Sequence, residues 1–410
     1  MRRLLELLGN PESGLRIFHI GGTNGKGSSS HFVKAMLEAE GYTVGMFTSP
    51  HVMVYNERFQ ISGEMIDDDT FTRLANSVMD YNETLVSEGY GYPSQFEILT
   101  ASAYLFFAEK NPDYVIMEVG IGGRYDATNT VERPIASLIT QIGLDHTDML
   151  GHTIEEITAE KACIIKPNVP IISESPEEEV RAILSKVAGE KGAKFIDTSK
   201  CDYTINDYAL ETLGGIVTRF DATINGKTYE DLVISMVGEH QVRNAIASVA
   251  MLDEVMDITE ESIRKGLLEA KNPGRFEILQ DEPLFILDGA HNPSGVKAAI
   301  DTFRVAFPDV KDREILLAFG CLADKECDTM IKQIAEEFRS CNIRAIEPNS
   351  ERALPSKQLR EQFRALGCTC KSIASVAELF AEIQAKDYDV ILVLGSIYLI
   401  GEVRTYYLNK

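Results

Sequence analysis

The segment that decides the fold is Gly21-Gly22-Thr23-Asn24-Gly25-Lys26-Gly27-Ser28. It follows an apolar run that predicts a strand over residues 16–21, and it opens a predicted helix over residues 25–40. A glycine-rich loop in this position turns backbone N–H groups toward a phosphate, and the helix dipole adds to the attraction. Lys26 can reach the β- and γ-phosphates, and the Ser28 hydroxyl can approach a magnesium ion. The segment therefore predicts a nucleotide-binding strand–loop–helix unit.

The spacing of this loop departs from the usual P-loop pattern G-x-x-x-x-G-K-[ST]. That pattern would need a glycine where Ile20 stands and a hydroxyl residue where Gly27 stands. The alternative is a plain glycine-rich turn between a strand and a helix. A lysine and a serine in a loop that follows an apolar strand favour the phosphate-binding interpretation.

Short apolar runs alternate with helical stretches on both sides of this unit, which is typical of α/β proteins with a mainly parallel sheet. Further strands are predicted over residues 43–48, 113–119, 135–140 and 169–173. Helices are predicted over residues 71–87, 95–110, 153–165, 240–255 and 259–270. The run over residues 113–119 is rich in β-branched residues and suits a buried central strand.

Two changes in the sequence pattern predict the domain organisation. Polar and β-branched residues alternate over residues 202–235, and Asn225-Gly226 supplies a hairpin turn, so we expect an antiparallel insertion there. Asn272-Pro273-Gly274 interrupts the pattern and predicts a boundary between domains of residues 1–271 and 272–410. The second domain is predicted to be α/β, with strands over residues 284–287, 314–319, 343–347 and 390–394.

Composition limits the partners and the compartment. The chain has 63 acidic and 40 basic side chains and a net charge of −23, which disfavours duplex DNA and anionic lipid as partners. Anionic substrates would need a local basic pocket or a divalent cation. Residues 1–8 predict a short helix rather than an export signal. The seven cysteines are odd in number and lack C-x-x-C spacing, which predicts free thiols in a reducing cytoplasm, without disulfides or a zinc site.

Polar residues that follow predicted strands are candidate ligands, because ligands bind beyond the carboxyl ends of parallel strands. Ser49 follows the second strand and Glu118 ends the central one, and both offer the oxygen atoms that magnesium prefers. The alternatives are a simple turn hydroxyl for Ser49 and a helix cap or salt bridge for Glu118.

Other candidates leave more alternatives open. His146, beside Asp145, could bind a metal, orient a base or cap the next helix, and the position of Lys161 alone favours a solvated surface residue. Arg275 could clamp a phosphate, and Asp288 could accept hydrogen bonds from ribose or adenine. The alternative for the last two is a salt bridge between them.

Nine segments together resemble, in order, the folylpolyglutamate synthase/dihydrofolate synthase family, a branch of the Mur ligases. They are Gly22-Thr23-Asn24-Gly25-Lys26-Gly27-Ser28, Thr48-Ser49-Pro50-His51 with Glu57-Arg58, Phe96-Glu97-x-Leu99-Thr100, Glu118-Val119-Gly120-Ile121-Gly122-Gly123-Arg124-x-Asp126-Ala127-Thr128-Asn129, Asp145-His146-Thr147, Glu160-Lys161-Ala162, Gly238-x-His240-Gln241-x-x-Asn244-Ala245, Pro273-Gly274-Arg275-Phe276-Glu277 and Asp288-Gly289-Ala290-His291-Asn292-Pro293. The shortened P-loop spacing is the family's own form. The resemblance implies a P-loop Mur-ligase-type central domain with a mainly parallel sheet and a smaller C-terminal Rossmann-like α/β domain.

The resemblance also implies roles for individual residues. ATP would be held by Thr23, Asn24, Gly25, Lys26, Gly27, Ser28, Asn244, Arg275 and Asp288. Ser49 and Glu118 would bind one Mg²⁺, and His146 would help to bind a second. Lys161 matches a carbamylated lysine whose added carboxylate is a metal ligand, so Lys26, His146 and Lys161 would be the catalytic side chains. Pro50, His51, Phe96, Asp126 and His291 would border the substrates.

The activity implied is ATP-dependent ligation of L-glutamate to folate, to dihydropteroate or to both, through an acyl phosphate. The resemblance further implies a monomer acting on small molecules, without nucleic acid or membrane partners. One alternative is a Mur-type ligase that joins an amino acid to a UDP-linked cell-wall precursor. The other is a nucleotide-binding switch without ligase chemistry, which has less need of Glu118, His146 and Lys161.

Overall fold

The computed structural model describes residues 1–211, 215–308 and 313–409. The chain forms two compact units. The first unit comprises Met1–Thr204, Phe220–Val233 and Gln241–Lys271, and the second comprises Ile205–Arg219, Ile234–His240 and Asn272–Lys410. Within the described residues, no helix combines the length and the apolar character that crossing a membrane requires.

An eight-stranded sheet organises the first unit, in the order β4-β3-β2-β5-β1-β6-β7-β8. Its strands are β1 (Ile17–Gly21), β2 (Val44–Phe47), β3 (Phe59–Ile61), β4 (Glu64–Met65), β5 (Tyr114–Glu118), β6 (Ala136–Ile139), β7 (Ile171–Ser173) and β8 (Phe195–Asp197). The pairs from β2 to β8 are parallel, and β3 and β4 add an antiparallel edge. The predicted α/β fold with a mainly parallel sheet is confirmed.

Helices flank this sheet up to Lys271. They are α1 (Arg2–Leu7), α2 (Lys26–Ala39), α3 (Asp68–Met79), α4 (Asn82–Ser87), α5 (Gln95–Lys110), α6 (Thr147–Leu150), α7 (Ile154–Lys161), α8 (Glu178–Glu190), α9 (Glu239–Val255) and α10 (Glu260–Glu269). One apolar cluster joins Leu74, Tyr104 and Met117, and another joins Ile139, Ile157 and Leu184. Burial of these side chains stabilises the layers, by roughly 25 cal/mol per Å² of apolar surface.

The predicted hairpin turn at Asn225-Gly226 is present. Both residues have left-handed backbone, with φ of 49° and 81°, which suits the tight turn between β10 (Gly215–Ile224) and β11 (Lys227–Ile234). With β9 (Tyr203–Glu211) these strands form a separate three-stranded sheet in the order β11-β10-β9.

The second unit contains a six-stranded sheet in the order β12-β13-β17-β14-β15-β16. Its strands are β12 (Glu277–Asp281), β13 (Leu284–Asp288), β14 (Ile315–Phe319), β15 (Asn342–Ala345), β16 (Cys370–Ser372) and β17 (Val390–Leu394). Its helices are α11 (Pro293–Ala306), α12 (Cys327–Glu337), α13 (Ser356–Ala365), α14 (Val376–Ala385) and α15 (Ile397–Leu408). Only β12 is antiparallel to its neighbour among the described pairs, so this unit is also α/β.

Two predictions about local structure were wrong. The single helix predicted over residues 71–87 is two helices, because the backbone at Tyr81 (φ −90°, ψ 0°) leaves the helical region between α3 and α4. Cysteine spacing predicts seven free thiols. The described residues contain five, because Cys321 and Cys327 form a disulfide. The turn between β14 and α12 brings their Cα atoms to 6.6 Å, a proximity that the C-x5-C spacing does not reveal.

Candidate active site

The loop over residues 21–28 joins the end of β1 to the start of α2, and its backbone shape requires glycine at two positions. Gly22 and Gly25 have φ of 143° and 95°, where other residues are strained. A Cβ on Gly22 would lie 1.8 Å from the Thr140 Oγ1, and one on Gly25 would lie 2.4 Å from the Asn244 Oδ1. The loop is therefore packed tightly against β6 and α9, and α2 begins at Lys26 with the positive end of its dipole at the loop.

Two lysine side chains meet at one carbonyl of this loop. The Lys26 Nζ donates to the Gly22 oxygen at 3.3 Å and to the Thr23 oxygen at 3.1 Å. The Lys161 Nζ, from the end of α7, donates to the same Gly22 oxygen at 2.8 Å. The structure thus brings Lys26 and Lys161 together at the head of β1.

Lys161 is buried, with 4% of its surface exposed, so it is not the solvated residue that its position alone favours. Burial, reinforced by the neighbouring Lys26 charge, lowers the pKa of Lys161 to about 7. Asp145 and Asp126 oppose this shift. A substantial fraction of the Lys161 side chain is therefore a neutral amine near pH 7.

Glu118 and Ser49 lie together at the same end of the sheet. Glu118 ends β5 and pairs in register with Ile20 of β1, next to the loop. Its carboxylate is buried, and the Glu118 Oε2 accepts the backbone N–H of Ser49 at 3.3 Å. The Ser49–Pro50 peptide bond is cis. The buried Glu118 carboxylate is thus bonded to the backbone of Ser49 at the end of the sheet that carries the glycine-rich loop.

His146 stands in a left-handed backbone conformation (φ 50°) at the start of α6. The backbone N–H of His146 donates to the Asp145 Oδ1 at 2.8 Å, and the ring Nε2 lies 3.9 Å from the same oxygen. The side chain is 34% exposed, so the ring remains accessible from solvent.

The side chains predicted to border the pteroyl group form two clusters. Phe96 packs against Gly120, where a Cβ would lie 2.5 Å from the Phe96 ring and 3.1 Å from the Asp126 Oδ2. The His51 ring contacts the Tyr55 ring at an interplanar angle of 48°, with centroids 4.3 Å apart, and the His51 Nδ1 accepts the Nε–H of Arg58 at 3.0 Å. Burial, together with the Arg58 charge, lowers the pKa of His51, so its ring is neutral at pH 7.

The remaining predicted site residues divide between the units. Asn244, in the first unit, is buried on α9 beside Gly25, and its Nδ2 donates to the Gln241 Oε1 at 3.1 Å. Asp288, in the second unit, ends β13, and its carboxylate accepts the N–H groups of Ala290 at 2.7 Å and Phe276 at 2.9 Å. Burial raises the pKa of Asp288, and Arg275 opposes the shift.

No ion pair within 4.0 Å joins Arg275 to Asp288 in the part of the chain that the structure describes, so the salt-bridge alternative is not supported. His291, two residues beyond Gly289, donates its Nδ1–H to the Gly289 oxygen at 2.9 Å. This bond fixes the orientation of the His291 ring.

Residues that the sequence analysis missed hold the loop in place. The backbone oxygen of Gln141 accepts the backbone N–H groups of Thr23 and Asn24 at 2.8 Å and 3.3 Å. The Thr140 hydroxyl donates to the Asn24 oxygen at 2.7 Å, and the buried Glu174 accepts the Gln141 N–H at 2.6 Å. These residues follow β6 and β7, so their position after predicted strands was the available signal. The amides of Thr23 and Asn24 thus support the loop rather than face a ligand.

Comparison with known proteins defines the class first. Residues 20–252 match the model of the Mur ligase middle domain, and residues 274–397 match the Mur ligase glutamate ligase domain. With the glycine-rich loop, the paired lysines and the mainly parallel sheets, these matches place the chain among the Mur ligases.

Individual relatives identify the family within the Mur ligases. A dihydrofolate synthase/folylpolyglutamate synthase of Bacillus subtilis is 36% identical over 98% of this chain and 93% of its own length. The crystal structure of a Thermotoga maritima folylpolyglutamate synthase superimposes with a TM-score of 0.86 at 32% identity, covering 100% of this chain and 93% of that one. E. coli FolC in complex with DHPP and ADP gives a TM-score of 0.87 at 28% identity, covering 100% and 93%. The chain belongs to the folylpolyglutamate synthase/dihydrofolate synthase family.

Proposed function

We propose that this protein is an ATP-dependent ligase that forms an amide between L-glutamate and a folate, dihydropteroate or both, through an acyl phosphate. The observation that carries the proposal is the meeting of Lys26 and Lys161 at the Gly22 carbonyl, beside the buried Glu118. In a chain with a net charge of −23, Lys26 places a cationic group at a loop shaped for phosphate, and Lys161 reaches the same loop.

The residues present fit a magnesium ion. Mg²⁺ prefers hard oxygen ligands and retains several waters, so one carboxylate and one hydroxyl are a suitable protein contribution. Glu118 and Ser49 supply these at adjacent positions, and His146 is proposed to contribute to a second ion. Among the described residues no group of three His, Cys, Asp or Glu side chains could hold a metal by itself, which suits ions shared with ATP phosphates. Bound Mg²⁺ would neutralise charge on the transferred phosphoryl group.

Lys26 has the central role in the first step. The substrate carboxylate attacks the γ-phosphorus of ATP, the bond to the bridging oxygen of ADP breaks, and an acyl phosphate forms. The Lys26 ammonium, now held by the Gly22 and Thr23 oxygens, is close enough to the loop to move onto the phosphate oxygens. Positive charge placed there stabilises the transferred group.

The second step forms the amide. The amino group of glutamate attacks the acyl carbon, loses one proton, and expels inorganic phosphate with the former carboxylate oxygen. We assign Pro50, His51, Phe96 and Asp126 to the pteroyl substrate. The neutral ring of His51 and the Phe96 ring offer flat surfaces suited to an aromatic ligand.

We further propose that Lys161 is carbamylated. The group is buried and near-neutral, it bonds to a backbone oxygen of the loop, and no acidic side chain lies within salt-bridge distance of it in the described structure. The nitrogen of the neutral amine can add to the carbon of CO₂ and release one proton, which gives a carbamate whose carboxylate group can ligate metal.

For the second unit we keep the assignments that the family resemblance implies. Arg275 and Asp288 are assigned to ATP binding, and His291 is assigned to substrate binding. The proposed domains are an ATP-binding ligase domain over residues 1–271 and a C-terminal domain over residues 272–410. We also propose a cytoplasmic monomer, for which a single 45.5 kDa species in sedimentation is expected and a stable dimer would be contrary.

The direct test of substrate class offers the purified protein ATP, Mg²⁺ and L-glutamate with one acceptor at a time. Dihydropteroate, tetrahydrofolate and a UDP-linked muramyl precursor are the three acceptors, and mass spectrometry detects the product. Addition of one glutamate to a pteroyl acceptor supports the proposal. Reaction with the UDP-linked precursor alone, or with none of the three, would overturn it.

A further inference from the structure

A chain of hydrogen bonds runs from the centre of the first sheet to the loop that follows β5. His19 lies in the middle of β1, paired with Met117 of β5 and Ser137 of β6, and it is fully buried. The His19 Nε2 lies 2.9 Å from the Thr128 Oγ1. Thr128 is also fully buried, on the 3-10 turn Ala127–Thr130.

Asp126 lies at the other end of this series of hydrogen bonds. Its Oδ1 accepts the Thr128 hydroxyl at 2.5 Å and the Thr128 N–H at 2.9 Å. Its Oδ2 accepts the N–H groups of Gly120 at 2.9 Å and Ile121 at 3.0 Å. Asp126 thus ties the turn of Thr128 to the backbone that leaves β5.

The direction of each bond follows from the donors available. Because the Thr128 hydroxyl donates its single proton to Asp126, it can only accept from His19, so the His19 Nε2 carries the hydrogen. The His19 Nδ1 is then the bare nitrogen, and in the described part of the chain it is buried without a hydrogen-bond partner. This agrees with a neutral ring of fixed tautomer.

We propose that His19 and Thr128 are positioning residues for the pteroyl site, acting through Asp126 on the backbone at Gly120 and Ile121. The Phe96 ring packs directly on Gly120, so a shift of this backbone displaces Phe96 as well. The inference rests on the proposed function, because Phe96 and Asp126 are assigned there to the pteroyl substrate.

Contacts other than the His19–Thr128–Asp126 hydrogen bonds hold the phosphoryl-transfer groups. Glu118 is fixed by strand pairing with Ile20, and the loop containing Lys26 is held by Thr140 and Gln141. Loss of the His19–Thr128–Asp126 bonds is therefore expected to affect the pteroyl substrate and to leave ATP binding nearly unchanged.

The test compares two pairs of variants. Thr128→Val keeps the shape and removes the hydroxyl, whereas Thr128→Ser keeps the hydroxyl. His19→Gln places an amide N–H near the position of the His19 Nε2, whereas the shorter side chain of His19→Asn does not reach it. Circular dichroism and thermal unfolding establish that each variant folds.

Hydrogen–deuterium exchange of the segment over residues 119–126 is the first readout. We expect exchange to accelerate at least about tenfold in Thr128→Val and His19→Asn and to stay near the wild-type rate in Thr128→Ser and His19→Gln. Wild-type exchange in both disruptive variants overturns the positioning role, whether or not the protein has ligase activity.

Steady-state kinetics is the second readout. In the disruptive variants we expect the KM for the pteroyl substrate to rise at least about tenfold while the KM for ATP stays within about twofold, with rescue in the conservative variants. Equal changes in both KM values, or no rescue, overturn the inference. A wild-type protein without turnover of any pteroyl acceptor refutes the proposed function instead, and the exchange result still decides the positioning role.

Discussion

Lys26 makes the most specific contribution at the scale of single residues. Thr140 and Gln141 also hold the loop backbone, so we expect the loop and the start of α2 to stay in place when the Lys26 ammonium is removed. We expect Lys26→Ala to lower kcat for phosphate release by at least about 10³-fold, because a charge that stabilises the transferred phosphoryl group is lost.

Lys34→Ala is the matched control for Lys26→Ala. Lys34 lies on the same helix, α2, and its Nζ pairs with Glu38 at 3.0 Å. Its loss should leave kcat within about twofold of wild type, because this partly buried ion pair lies about two turns along α2 from the glycine-rich loop. Near-normal turnover in Lys26→Ala, with an unchanged circular dichroism spectrum, would refute the role given to this lysine.

Lys161 is predicted to carry a carbamate. Protein equilibrated with ¹³C-bicarbonate should show a carbamate carbonyl signal by NMR that disappears in Lys161→Ala. Lys166→Ala should keep the signal, because Lys166, which donates to the Asn129 oxygen at 3.0 Å, is a neighbouring lysine outside the loop contact. Survival of the signal in Lys161→Ala, or its absence from wild type, would contradict the assignment.

Sequence reasoning found the site residues whose chemistry is local, and it missed those that act through tertiary contacts. A lysine in a glycine-rich loop after a strand predicts a phosphate site from spacing alone. The burial of Lys161 depends on α7 returning to the loop, which spacing does not encode. Glu174, Thr140 and His19 carry no local motif of their own, because their partners lie more than 30 residues away or across strands.

The packing of α2 against α10 is decisive at the scale of elements, because α2 carries Lys26. A Cβ on Gly266 would lie 2.4 Å from the Met36 Cα and 2.5 Å from the Met36 nitrogen, both backbone atoms of α2. Gly266→Ala should therefore lower Tm by several degrees, since overpacking costs about 1–3 kcal/mol.

Gly189→Ala provides the control for Gly266→Ala. Gly189 lies in the last turn of α8, and a Cβ there would meet no atom within 4 Å. Its Tm should be unchanged or slightly higher, because alanine favours helix by about 0.5–1 kcal/mol over glycine. An equal fall in Tm for both variants would show that close packing at Gly266 is not the cause.

Glu174 links the end of β7 to the loop through Gln141, and burial raises its pKa from 4.5 to about 7. Arg243 opposes the shift, and Glu177 adds to it. A carboxyl group with a raised folded-state pKa favours folding fully below pH 4.5, and this contribution is lost as the pH rises to about 7.

Glu174→Gln removes this titration. The free energy of unfolding of the variant minus that of wild type should be about 2 kcal/mol larger at pH 8 than at pH 5, as urea unfolding at both pH values would show. Glu178→Gln, at an exposed position on α8, is the control for the removal of a carboxylate. A stability difference that does not change with pH would contradict the shift assigned to Glu174.

Elements were predicted best where periodicity and caps agree. The helix predicted over residues 95–110 is α5, with Ser94 and Glu97 forming a capping box. β8 and α8 were not predicted, and β3 and β4 are too short for an alternating pattern to identify them. Such elements are stabilised by neighbours in the sheet rather than by their own residues.

At the scale of the whole molecule, the net charge of −23 opposes the approach of an anionic nucleotide, whereas Lys26 supplies positive charge at the loop. The global field repels anionic substrates at low ionic strength, and salt screens this repulsion more than it screens the buried contacts. We expect the KM for ATP to fall by about twofold to fivefold between roughly 10 and 100 mM salt. Sucrose at matched osmolarity should have no effect, and a KM that rises steeply with salt would contradict this account.

The transfer of a carboxylate oxygen to phosphate tests the central claim most directly. A pteroyl acceptor labelled with ¹⁸O at both oxygens of the reacting carboxylate is incubated with ATP, Mg²⁺ and L-glutamate. The released inorganic phosphate is analysed by mass spectrometry. An acyl phosphate predicts one ¹⁸O atom in each phosphate, with release dependent on both the acceptor and glutamate. Unlabelled phosphate, or release that needs neither substrate, would contradict the claim that this protein is a ligase acting through an acyl phosphate.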